Sequence, residues 1–155
     1  MTYPHEGVQR AIGEGFAPFK VNMLERHPDF KEASAGGRVM WGPTFVVADA
    51  RGSEIRRWVG WLPAESFVAE LAFCRALADY NHGKFAEALA AFDTIVEQGE
   101  GTEVHPEALY WQGAAGFLAG GKDWEALRRS WTRLAERYPE NRFGRHASVI
   151  EDAPE

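Results

Sequence analysis

The sequence predicts two unlike parts: an α/β unit over residues 1–70 and an all-α unit of helical hairpins over 71–147, followed by a flexible tail, 148–155. Three observations predict this. Two short β-rich runs, "TFVVAD" and "EIRRWVGW", flank a Gly-containing loop, as in a β-hairpin. From Pro63 the apolar period changes to that of a helix, with Phe67, Leu71, Cys74 and Ala78 on one face. Beyond residue 80, two segments repeat one another.

The elements follow in order. Residues 5–14 place Val8 and Ile12 four apart and meet Gly15, a short helix with a stop signal. "FAPFKVNML" (Phe16–Leu24) sets Phe19, Val21 and Met23 against Lys20 and Asn22, a strand with Pro18 at its start. Residues 28–35 allow one or two helical turns with Pro28 first, broken by Gly36-Gly37. Thr44–Asp49 and Glu54–Trp61 form the hairpin, with Gly60 as a terminator or bulge. Pro63 opens a long helix, and "KFAEALAAFDTIVEQ", "PEALYWQGAAGFLAGG" and "KDWEALRRSWTRLAERYPEN" supply three more. The ending "FGRHASVIEDAPE" holds at most one further turn before fraying.

Composition narrows the classes. The chain has 155 residues, 45% apolar and 13% aromatic with six tryptophans, enough to bury a sizeable core. A net charge of −6 argues against a nucleic-acid or anionic-membrane partner. Residues 1–62 carry 8 basic and 7 acidic residues, whereas 63–155 carry 9 and 16, so the two parts present different surfaces. The single cysteine, Cys74, permits no internal disulfide and fits a reducing compartment. No apolar signal region opens the chain and no 18-residue apolar stretch occurs, so the expected location is cytoplasmic.

The repeat aligns Gly83-Lys84 with Gly121-Lys122. Each turn precedes an aromatic residue, a Glu-Ala-Leu triplet and a second aromatic. Phe85/Trp124, Ala88/Ala126, Leu89/Leu127 and Phe92/Trp131 correspond at an offset of 38–39 residues. This resembles tetratricopeptide repeats, helix–turn–helix units with small residues where helices cross. Gly113 and Ala126 occupy such positions, Tyr138-Pro139 closes the second unit, and Trp111, Trp124 and Trp131 are expected in the core.

Residues 16–71 resemble the later two-thirds of a thioredoxin fold: "FAPFKVNM" as a strand, a crossover helix, Gly42-Pro43-Thr44 entering "FVVAD", a turn, "IRRWVG" and a closing helix. The resemblance implies that Pro43 is the cis-proline facing the redox site. It also implies a peptide-binding edge at Met40, Trp41, Gly42 and Pro43, with Gly60 on the same surface. The Cys-x-x-Cys pair of that family is not in this sequence. "TYPHEGVQRAIGEGF" looks like the rear half of the helix that bears it. The expected sheet then lacks its central strand, so "FKVN" and "TFVVAD" either pair directly or expose edges that a second chain fills, giving a homodimer.

Other chemistry finds little footing. His5, His27, His82, His105 and His146 show no ligand spacing, so no metal is expected. No nucleophile elbow or phosphate-binding loop occurs. Cys74 lies in phase with Phe67 and Leu71, which favours burial. Trp41 and Trp61 flank the proline turn as partner anchors or as core. The expected function is non-catalytic protein or peptide interaction, without cofactor or catalytic residue. The rival is a thiol–disulfide oxidoreductase whose cysteine pair lies upstream of this Met1.

Overall fold

The computed structural model describes residues 2–25, 27–33 and 39–152, and there the chain is mostly helical with one two-stranded antiparallel sheet. It divides into two compact units, Met1–Cys74 and Arg75–Glu155.

In the first unit, α1 (Glu6–Gly15) begins at His5, whose Nδ1 accepts the Gly7 N–H and satisfies an otherwise orphaned donor. Val8 of α1 is fully buried against Phe67 and Leu71, and Ile12 packs beside them. The short helix α2 covers Phe30–Ala33; the expected break at Gly36-Gly37 lies outside the described residues. Strands β1 (Thr44–Ala48) and β2 (Glu54–Val59) pair with Phe45 opposite Trp58, and these rings stack at 5.0 Å. Their loop is held by Asp49, whose Oδ1 accepts the Arg51 and Ser53 N–H groups, while Gly52 takes the left-handed φ of 82°. A register shift between Val47 and Ala48 leaves Ile55 as the extra residue of a bulge.

Helix α3 runs Ala64–Asn81 and buries Phe67, Leu71, Phe73, Cys74 and Leu77, the face that its periodicity predicts. Glu70 of α3 meets Arg56 of β2 in a bidentate ion pair, Nε–Oε2 at 2.6 Å and Nη2–Oε1 at 3.1 Å. The Arg56 guanidinium also lies 4.7 Å over the Phe73 ring.

The strand expected at Phe16–Leu24 does not form. Residues 16–22 are irregular and Met23–Glu25 make a 3-10 turn. Alternation there is real, but a strand needs a partner for its backbone row, and Pro18 already removes one donor. Asn22 instead makes local bonds, its Oδ1 accepting the Leu24 N–H and its amide donating to Glu25.

In the second unit, α4 (Phe85–Gln98), α5 (His105–Ala119), α6 (Trp124–Arg137) and α7 (Arg142–Ala147) pack in sequence, each on the next. The two Gly-Lys turns share one closing geometry. Gly83 and Gly121 take positive φ of 77° and 66°. Lys84 N–H bonds the Asp79 carbonyl and Gly83 N–H that of Tyr80; Lys122 and Gly121 bond Phe117 and Leu118 in the same pattern. Both are Schellman ends, in which a left-handed residue lets two N–H groups return to the last turn. The repeat read from sequence is therefore a repeat of backbone geometry at these corners.

Small residues set the α5–α6 crossing. A Cβ at Gly113 would lie 2.7 Å from Trp131 Cδ1, and one at Gly116 would lie 3.2 Å from the Ala126 Cβ. A polar relay crosses three helices: Ser130 donates to Gln112, and Gln112 donates to Asp93. Trp111 and Trp131 are half-buried, but Trp124, expected in the core, is 54% exposed, its ring edge meeting Phe117 at 4.9 Å. Residues 148–152, assigned by sequence to the tail, form a 3-10 turn that buries Ile150. Among the described residues, no helix is long and apolar enough to cross a membrane.

Candidate docking rim at the sheet

The hairpin brings the sequence-selected residues to one end of the sheet. The Gly42–Pro43 peptide is cis. Gly60 N–H donates to the Pro43 carbonyl at 2.9 Å, one step beyond the Thr44–Val59 pair, so Pro43 and Gly60 share the rim. Gly60 has φ of 93°, which a side chain rarely adopts, and it ends the ladder there. Thr44 Oγ1 donates to the Trp41 carbonyl and fixes the approach to β1.

Around this corner the surface is apolar. Met40 is 66% exposed, Trp41 71%, Val59 55% and Trp61 56%. Trp61 is braced from behind, edge-on to Tyr3 at 5.1 Å and to Phe45 at 5.7 Å. Trp41 and Trp61 are thus exposed, whereas Trp58 packs into the core. Sequence reasoning missed Tyr3 and Val59. Strand alternation opposite the buried Trp58 was enough to find Val59. Tyr3 has no local signal; Thr2 Oγ1 bonding the Leu62 carbonyl brings it there from sixty residues away. Burial pushes the Tyr3 phenol above its ordinary pKa.

The two sheet edges differ in chemistry. Strand β2 carries Glu54, Arg56 and Arg57, and the Arg57–Glu54 hydrogen bond holds the Glu54 carboxyl below the usual range. Strand β1, "TFVVA", carries no charge, and among the described residues only β2 pairs with it. Charge on an edge strand discourages a further strand; its absence invites one.

Cys74 is 1% exposed, and among the described residues no trio of His, Cys, Asp or Glu is placed to hold a metal ion. No protein-family model, curated protein or solved structure matches the chain.

Proposed function

We propose that this chain is a non-catalytic binding protein whose partner is an extended, apolar protein segment laid along the Met40–Pro43 rim and the outer edge of β1. In this reading the first unit is a thioredoxin-like framework without its redox pair, and the helical unit is built of tetratricopeptide-like hairpins. The observation that carries the proposal is the cluster of four exposed apolar side chains beside an uncharged strand edge. Backbone pairing along such an edge supplies affinity, and flanking aromatic anchors supply selectivity. In these residues a thiolate attack on a protein disulfide has no accessible nucleophile, since Cys74 is buried.

The test is selection of a displayed random-peptide library on the purified chain, followed by titration of the enriched synthetic peptides. Apolar, β-branched sequences should emerge. Covering half of a Trp side chain at the rim is worth about 2 kcal/mol, so Trp41→Ala and Trp61→Ala should each weaken binding roughly 30-fold. Peptides that bind both variants as well as the parent overturn the assignment, as does a library that yields no binder. Insulin reduction should stay at background, and measurable turnover would refute the non-catalytic reading.

A further inference from the structure

The helical unit holds one group that the docking rim does not involve. His105, at the start of α5, is completely buried, yet it is an ionisable side chain. Its Nε2 lies 3.1 Å from the Val96 carbonyl of α4, and its Nδ1 lies 2.7 Å from the Tyr138 hydroxyl at the end of α6. A carbonyl only accepts, so Nε2 carries the proton. Nδ1 is then the acceptor, and Tyr138 donates to it. The neutral ring satisfies both partners with one tautomer.

Tyr138 is more than a partner. It is the C-cap residue of α6, its N–H bonding the Leu134 carbonyl. Its own carbonyl accepts the Asn141 N–H, and Asn141 caps α7 by accepting the Phe143 N–H. Gly144 of α7 lies so close that a Cβ there would overlap the Tyr138 carbonyl. The α6–α7 corner therefore rests on the residue that His105 holds.

We propose that His105 is a proton-operated latch: its neutral imidazole, bridging Val96 and Tyr138, keeps the C-terminal corner closed, and protonation releases Tyr138–Ile150. A second ring proton turns Nδ1 from acceptor into donor, so the Tyr138 hydroxyl must reverse its bond and send its own proton elsewhere, and it places a cation in a fully buried position. The charged surroundings add to this. Arg133 and Arg137 of α6 oppose a positive ring, Glu100 before α5 favours one, and Glu100 is itself engaged by Arg137. Helix α4 presents the Val96 carbonyl, and α7 carries Arg142, Arg145 and His146. Burial, the largest influence, lowers the His105 pKa below its ordinary value.

The sign follows from linkage. The open form binds the proton more readily than the closed form, so closure is fully favoured above the open-state pKa of about 6.5. It weakens as pH falls from there toward the closed-state value. Between pH 7.5 and 5.0 the opening equilibrium rises by up to about 30-fold if the closed form stays neutral.

Hydrogen exchange at those two pH values, corrected for intrinsic rates, tests it on the full chain. Amides of Tyr138–Ile150 should lose protection by about that factor, while those of α4 and the centre of α5 keep theirs. His105→Gln, which cannot be protonated, should abolish the pH dependence, and His146→Gln, at an exposed histidine of α7, should leave it. An unchanged corner, a loss equal over the whole helical unit, or the same loss in His105→Gln overturns the latch. Should His105→Gln not fold, ring NMR of the parent decides. A His105 that titrates near 6.5 refutes the proposal, and one still neutral while the corner is closed at pH 5 supports it.

Discussion

Two glycines of α5 give the sharpest test of how the helical unit is packed. Replacing either by alanine gains intrinsic helix stability, about 1 kcal/mol. The surroundings then decide the sign. At Gly113 the new Cβ would sit 2.7 Å from Trp131 Cδ1, 2.8 Å from its Nε1 and 3.1 Å from the Ser130 Cβ. The indole must retreat, and it is held in place: it stacks on Tyr110 at 4.6 Å, and its Nε1–H donates to the Tyr110 carbonyl at 3.0 Å. Overpacking of this kind costs about 1–3 kcal/mol, the lost hydrogen bond about 1, and the disturbed stack roughly 0.5–1. Gly113→Ala should therefore destabilise by about 2 kcal/mol after the propensity gain. At Gly116 the nearest atoms are the Ala126 Cβ at 3.2 Å and Leu89 Cδ1 at 3.7 Å. A shift of a few tenths of an ångström clears these, so Gly116→Ala should be neutral or stabilising by up to about 1 kcal/mol. Urea unfolding followed by far-UV circular dichroism reads both. A Gly113→Ala chain as stable as Gly116→Ala would refute the assignment of the α5–α6 crossing to these contacts.

In the first unit, Glu70→Ala leaves the Arg56 guanidinium facing a largely buried site, with pair exposures of 21% and 7%. About 3 kcal/mol should be lost, most visibly as faster amide exchange in β2. The double change Arg56→Met with Glu70→Leu should recover most of that loss, because it removes both charges; a double variant as unstable as Glu70→Ala would show that the pair itself is not the cause. At the start of α6, Asp123 accepts the Glu125 and Ala126 N–H groups. Asp123→Ala should cost about 1 kcal/mol, with Asp123→Ser restoring most of it in thermal melts. No change on Asp123→Ala would mean that water caps that helix equally well.

The helices were legible because their signals are local. Phe67, Leu71 and Cys74 recur at helical spacing, and all three are buried in α3. Gly83-Lys84 and Gly121-Lys122 were legible as helix ends because a left-handed position selects glycine wherever it occurs. The hairpin was legible from β-branched runs around Gly52. The rim at Pro43 and Gly60 was also selected from sequence, by resemblance, and the Gly60–Pro43 hydrogen bond does bring the two together.

Other features depended on neighbours. Phe16–Leu24 has a strand's alternation but, among the described residues, no strand beside it, and Asn22 turns to local bonds. Trp124 has a core residue's chemistry, yet its ring meets Phe117 and still stays 54% exposed. His105 looked like one of five scattered histidines, and only the approach of Val96 and Tyr138 from two other helices makes it a buried bridge.

By itself, then, the sequence determined where the longer helices and the hairpin lie, since period, capping and glycine geometry act within a few residues. The tertiary structure decided which strands find partners, which aromatics face solvent and which ionisable group is sealed from water. Those outcomes turn on hydrogen-bond partners and desolvation supplied by residues far away in the chain, and no local pattern encodes them.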